Sequence, residues 1–247
     1  MYVRSSGERG ERPVLLLHGG GVAGWMWEPT TEHLPAGLRL IVPDLPGHDR
    51  SSEERYVSHD HVATELAAVI EREAERPVAV VGFSLGAQLA VLLAANRPDL
   101  VDRVAVVSAQ ATPTKAPGLT LGLLGATAPL AKLQWFAKLQ AKALFIPAPL
   151  MDDYLRTSAR ISRETLVTTV GENIRFTEPP AWASFPGSAL ILAGEGERGF
   201  MKKSARLLNE SLPGSELEIV GGCGHGIPLQ RPDWFAQRLW NWLASES

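Results

Sequence analysis

The sequence predicts an α/β fold, a doubly wound and mostly parallel sheet with a helical segment inserted into it. Three observations predict this. Short, largely apolar runs recur along the chain and end at glycine, proline or a small polar residue. Such runs suit strands buried on both faces of a parallel sheet. Stretches of helical period separate them, giving the strand–helix–strand rhythm of right-handed crossovers. The rhythm stops after Ser108 and resumes near residue 184.

Residues 14–17 form the first expected strand, ending at His18-Gly19-Gly20-Gly21, and residues 38–42 the second, ending at Pro43-Asp44. Val62, Leu66, Val69 and Ile70 then fall on one helical face, with Ser58 or Asp60 as the N-cap. Residues 78–83 are a third strand, ending at Ser84, and residues 85–95 a helix that stops near Asn96 and Pro98. Residues 104–107 are a fourth strand. From 109 to 183 the chain is punctuated by Gly and Pro and mostly helical in period, with Leu130, Leu133, Ala137, Ala141 and Leu144 on one stripe. Strands return at 189–193 and 217–220, and a helix bearing Trp234, Phe235, Leu239, Trp242 and Leu243 closes the chain. The expected division is a core of 1–108 and 184–247 with a helical cap at 109–183. An insertion at the carboxyl edge of strands is where a lid over a site would sit.

Composition narrows the function. Apolar residues make up 45% of the 247 and charged residues 21%, ordinary values that exclude global disorder, collagen and coiled coil. With 24 basic and 27 acidic residues the net charge is −3, which argues against a nucleic-acid partner. The single cysteine, Cys223, allows no intramolecular disulfide and no cysteine-based metal cluster. Residues 1–12 are polar and charged, without the apolar stretch of a secretory leader. No apolar run approaches the roughly 18 residues of a membrane span. The expectation is a soluble cytoplasmic protein acting on a small molecule.

The strongest chemical signal is Gly82-Phe83-Ser84-Leu85-Gly86. G-x-S-x-G alone arises often by chance, but here a strand run precedes it and a helix follows, the context the motif needs. A strand turning at once into a helix strains the serine backbone and leaves no room for side chains at the two glycines. Its hydroxyl then stands clear of the sheet as a nucleophile. A hydroxyl needs a base, and histidine is the natural one near neutral pH. His225, in the glycine-rich loop 221–226 after a strand, is the candidate. His18 and His48 read as loop-ordering groups, His59-Asp60-His61 as a polar helix start rather than a metal pair, and His33 carries no signal. The imidazole needs a carboxylate to orient it. Glu195 and Glu197, in the loop after residues 189–193, are the candidates, with Glu197 favoured. The amides of Leu85 and Gly20 are the expected oxyanion donors.

Taken together these motifs resemble the α/β-hydrolase superfamily in its helical-cap, serine-nucleophile branch. The residues carrying the resemblance are His18 to Gly21, Pro43 to His48, Gly82 to Gly86, Gly194 to Glu197, and Gly224-His225 with Pro228, Arg231-Pro232 and Phe235. It implies Ser84 as nucleophile, His225 as base, an acid near Glu197, oxyanion amides at Gly20 and Leu85, and no cofactor. Three features depart from relatives or separate its branches. The acid position carries Glu where the pattern G-x-x-D has Asp. Asp49 stands where relatives usually have Gly, while Asp44 reads as a turn cap. A Ser nucleophile weighs against haloalkane dehalogenases, epoxide hydrolases and dienelactone hydrolases.

The insertion offers a clue to substrate. No Asp or Glu occurs between Asp102 and Asp152, while Arg103, Lys115, Lys132, Lys138 and Lys142 do, and residues 116–131 are uncharged. The pattern suits a buried inner helix face with solvated lysines, or an apolar acyl pocket rimmed for an anionic group or lipid surface. Trp25, Trp27, Trp135, Phe136 and Trp182 read chiefly as packing residues. The functional expectation is a serine hydrolase of esters, thioesters or lactones. Carbon–carbon hydrolysis or lyase chemistry on the same triad, and ligand sensing with little turnover, are the competing readings, because fold alone does not separate them.

Overall fold

The computed structural model describes residues 1–127 and 134–245. A sheet of seven strands organises the chain, in the order β1-β3-β2-β4-β5-β6-β7. The strands are β1 (Val3–Ser6), β2 (Arg12–Leu17), β3 (Leu38–Pro43), β4 (Val78–Phe83), β5 (Val101–Val107), β6 (Ser188–Gly194) and β7 (Glu216–Val220). All neighbours are parallel except β1 and β3. β1 has no counterpart among the expected strands. Val3 is its one apolar residue, and it holds the sheet edge through antiparallel pairing of Val3 with Pro43 and Ser6 with Leu40.

Helices cover both faces. They are α1 (Glu28–Thr31), α2 (His59–Glu73), α3 (Leu85–Asn96), α4 (Pro117–Thr127), α5 (Gln134–Ala143), α6 (Met151–Arg160), α7 (Arg163–Arg175), α8 (Gly199–Ser211), α9 (Ile227–Gln230) and α10 (Pro232–Ala244). Successive strand side chains point to opposite faces. Leu15, Leu17, Val80 and Val106 pack with α2, α3 and α8, while Val14, Leu16, Val81 and Val107 pack with α10 and Trp27. Each fully buried side chain of this size contributes about 1.5–3 kcal/mol.

Local chemistry sets the helix ends. Ser58 caps α2 by accepting from the His61 amide, and Val62, Leu66, Val69 and Ile70 are buried as the periodicity expects. α3 is apolar and buried on nearly every face and stops just before Pro98. Proline opens α10, whose Phe235, Leu239, Trp242 and Leu243 fill the core while Trp234 is half-buried.

Between β5 and β6 the described chain holds α4 to α7 and short 3-10 turns at Ala148–Leu150 and Pro180–Ser184. Ala137 and Ala141 of the expected stripe are buried; Leu130 and Leu133, and Lys132, lie outside the described residues. Trp182 returns to the core, stacked on Phe185 with its indole N–H donating to the Leu208 carbonyl. Trp25 and Trp27 are also buried, Trp135 is exposed, and the side chain of Phe136 lies outside the description.

Candidate active site

Ser84 sits at the end of β4 with φ 53° and ψ −110°, a left-handed backbone that the sharp strand-to-helix turn imposes. The flanking glycines are obligatory. A Cβ on Gly82 would lie 2.2 Å from the Gly86 carbonyl oxygen, and one on Gly86 2.3 Å from that of Leu17. The Ser84 amide donates to Val107 O at 2.8 Å, which ties the turn to β5. Leu85 is the first residue of α3, so its N–H has no partner within the helix. A Cβ on Gly20 would lie 3.9 Å from that of Leu85, so the two expected oxyanion donors belong to adjoining residues.

The loops after β6 and β7 bring a carboxylate and an imidazole to this serine. His225 Nε2 is 3.0 Å from Ser84 Oγ, and His225 Nδ1 is 2.6 Å from Glu197 Oε1. Glu197 is buried, and its other oxygen accepts from the Gly194 amide at 3.1 Å. Glu195 is exposed and turns away to accept from the Gly222 amide. Of the two glutamates, only Glu197 thus meets the imidazole. The loops are joined backbone to backbone. Gly196 N donates to Cys223 O and Glu195 N to Val220 O, both at 2.9 Å, and a Cβ on Gly194 would lie 2.2 Å from Gly224 O. Glu197 N donates to Gly194 O at 3.1 Å, closing the turn that carries the glutamate.

His18 and His48 lie behind the site with their rings 5.1 Å apart. His18 donates from Nδ1 to Gly19 O and accepts at Nε2 from the Leu45 amide, which fixes the neutral tautomer. Burial pushes the pKa of His18 down to about 4 and that of His48 to about 3. Asp44 bridges two loops by accepting from the Gly24 and Arg50 amides, and burial raises its pKa. Burial likewise pushes the Cys223 thiol up. His33 is exposed and bonds Pro29 O.

Several features were not anticipated from the sequence. Asp49 has φ 37° and is buried, and its carboxylate accepts from Arg156 of α6 at 3.2 and 3.1 Å, with Arg160 at 3.9 Å. His59 does open α2, but its ring is buried between Tyr56 Oη at 2.9 Å and Gln88 Oε1 at 2.8 Å. Burial lowers its pKa. His61 is exposed beside Glu65. Phe145, at the end of α5, has φ 59° and lies against Gly224 and Gly226.

Two cavities meet at Ser84. One of about 540 Å³ is lined by Gly20, Leu85, Leu144, Tyr154, Leu166 and Val170 among others. The second, about 370 Å³, is lined by His225, Glu197, Phe145, Arg198, Phe200 and Met201 among others. Outside the two linings, Leu119, Leu123, Trp135 and Leu139 are exposed, as are Lys115, Lys138 and Lys142. Among the described residues no group of three His, Cys, Asp or Glu side chains is arranged to hold a metal ion, and no helix is long and apolar enough to cross a membrane.

A model of the alpha/beta hydrolase family matches residues 14–238. Lipase LipV of Mycobacterium tuberculosis is 38% identical over 101 residues, which are 41% of this chain and 38% of that protein. The pimeloyl-(acyl-carrier protein) methyl ester esterase of Vibrio parahaemolyticus is 34% identical over 95 residues, 38% of this chain and 36% of that one. The match therefore spans little more than a third of either relative. The esterase EaEST from Exiguobacterium antarcticum superimposes with a TM-score of 0.84 at 21% identity, over 99% of this chain and 95% of its own, a likeness of fold.

Proposed function

The chain belongs to the α/β-hydrolase family, and on that premise we propose that it is a serine hydrolase cleaving a carboxylic ester, thioester or lactone. The observation that carries this reading is the unbroken line from Glu197 through His225 to Ser84, at 2.6 and 3.0 Å. Ser84 Oγ attacks the carbonyl carbon as His225 Nε2 takes the hydroxyl proton. The carbonyl electron pair moves to oxygen, and the Gly20 and Leu85 amides receive the oxyanion. Losing one such donor typically costs about 3 kcal/mol of transition-state stabilisation. Collapse expels the leaving group, which takes the proton from His225. Water then gives its proton to His225 and attacks the acyl-Ser84 carbon. A second collapse frees the acid and returns the proton to Ser84. Glu197 holds the Nδ1–H tautomer and offsets the charge of the imidazolium.

The larger cavity suits an apolar acyl group, because Leu144, Leu166 and Val170 line it beside the two amides. Residues 109–183 serve as the cap, with α5 to α7 forming its wall over the site. Exposed Lys138 and Lys142, beside exposed Trp135 and Leu139 on α5, suit an anionic surface outside the cavities, which they do not line. The activities of the two relatives, a lipase and a methyl ester esterase, support ester cleavage over the other readings. Hydrolysis of p-nitrophenyl esters from acetyl to lauroyl tests it. We expect release that rises with acyl length and then falls, and that vanishes in Ser84→Ala. Release that survives the substitution, or none across the series, would refute the reading.

A further inference from the structure

Of the two cavities that meet at Ser84, the serine-hydrolase reading assigns the acyl group to the larger and leaves the smaller unassigned. The proton that frees the leaving group comes from His225, so the leaving group must depart on the His225 side. His225 and Glu197 line the smaller cavity, whereas the oxyanion residues Gly20 and Leu85 line the larger. A void of about 150 Å³ already holds a benzene ring. The smaller cavity is about 370 Å³. A methanol leaving group would leave most of it empty.

Its inner wall is built with care. Leu144 lines the acyl cavity, and the next residue, Phe145, lines the other. The chain makes this reversal at Phe145 itself, with φ 59°. Such a conformation costs a non-glycine residue of order 1–3 kcal/mol and persists only where the surroundings hold it. Here they do. A Cβ on Gly224 would lie 2.6 Å from Phe145 Cζ, and one on Gly226 3.0 Å from Phe145 Cβ. The two glycines that flank His225 are bare where Phe145 lies across them. The first turn of α8 closes the opposite side with Phe200 and Met201, and exposed Arg198 stands at the rim.

We propose that the smaller cavity, whose lining adds Gln110 and Asn173 to Phe145, Phe200 and Met201, is a leaving-group site for a bulky alcohol or thiol that carries a ring, and that Phe145 is its specificity-determining wall. The proposal rests on the serine-hydrolase reading. Methyl and benzyl butyrate form the same butyryl-enzyme, and their alcohols are of similar acidity, so kcat/KM compares the leaving groups alone. Burying a ring is worth enough that we expect wild type to favour benzyl butyrate by about ten-fold or more. Phe145→Ala and Phe145→Gly should each lower the benzyl-to-methyl ratio by roughly five-fold, with the acyl-length optimum on methyl esters unmoved. Phe200→Ala, at an exposed position, should lower the ratio less and guards against misfolding of the Phe145 variants. The glycine variant separates ring from backbone, since glycine accepts the left-handed conformation freely. A wild-type-like ratio in Phe145→Gly, equal loss on both esters, a shifted acyl optimum, or no benzyl preference in wild type would each overturn the proposal. Absence of Ser84-dependent release from any ester would sink the hydrolase reading along with it.

Discussion

At the carboxyl edge of the sheet, Ser84, Glu197 and His225 are held by backbone; across the cavity, α6 and α7 are held by side chains. The edge is assembled from close approaches that admit only hydrogen, at Gly82, Gly86 and Gly194. α6 is tied down by Arg156 on Asp49 and by Thr157, which accepts from the Trp25 indole N–H at 3.0 Å. α7 is tied by its Asn173 carbonyl to Gln88 and by Glu172 to the His59 amide. Main-chain contacts fix a catalytic geometry within narrow limits and leave almost no tolerated substitutions. Side-chain ties can be exchanged without rebuilding the sheet, so the wall can change its shape while the chemistry stays.

The largest effect should set the edge apart from a helix outside it. Gly86→Ala puts a methyl 2.3 Å from Leu17 O and should cost about 4 kcal/mol or more in urea unfolding. The same replacement at Gly122 in α4, where nothing lies within 4 Å, should be stabilising by up to about 1 kcal/mol. Equal effects at both sites would break the comparison.

Within the edge, Glu197→Gln should lower kcat by roughly 10³–10⁴-fold by permitting the wrong imidazole tautomer. Glu195→Gln, on the exposed side of the same loop, should stay within about two-fold of wild type, because its carboxylate meets only the Gly222 amide. The sequence already singled out Ser84 and Leu85 as candidates, because backbone crowding writes Gly82 and Gly86 at readable spacing, and Gly20 and His225 through glycine-rich loops that follow strands. It left two glutamates in one loop, since the choice depends on a turn closed by the Gly194 carbonyl and on cross-loop bonds to Val220 and Cys223. It did not show Arg156 as the partner of Asp49, 107 residues away, because no local pattern marks a tertiary ion pair. Phe145 escaped for the same reason. β1 was hidden because an edge strand needs backbone partners more than apolar side chains.

Acid should weaken the fold through the two histidines behind the edge. His18 and His48 titrate near 6.5 in the unfolded chain but near 4 and 3 when folded. Between those values the unfolded state binds more protons, so stability falls as pH drops below about 6.5 and levels off only near the folded values. The pair should cost on the order of 4 kcal/mol by pH 5. Chemical denaturation at pH 7, 6 and 5 would measure it, and His18→Asn should flatten the slope. A flat wild-type profile would mean that these histidines are not held neutral.

The smallest expected change lies in the wall. Arg156→Ala leaves the buried Asp49 carboxylate with only Arg160 at 3.9 Å and should cost about 2 kcal/mol. Because Tyr154 and Ser158 of the same helix line the larger cavity, KM should rise for long acyl esters while kcat on acetate esters changes little. A loss of kcat on every ester would show that the wall and the edge are not separable.

The most direct test of the account is to quench the enzyme during turnover of a butyrate ester and locate the acyl group by peptide mass mapping. The butyryl group should be found on the peptide containing Ser84, and be absent from Ser84→Ala under the same conditions. Turnover in Ser84→Ala, or an acyl group on any other residue of an active enzyme, would contradict it.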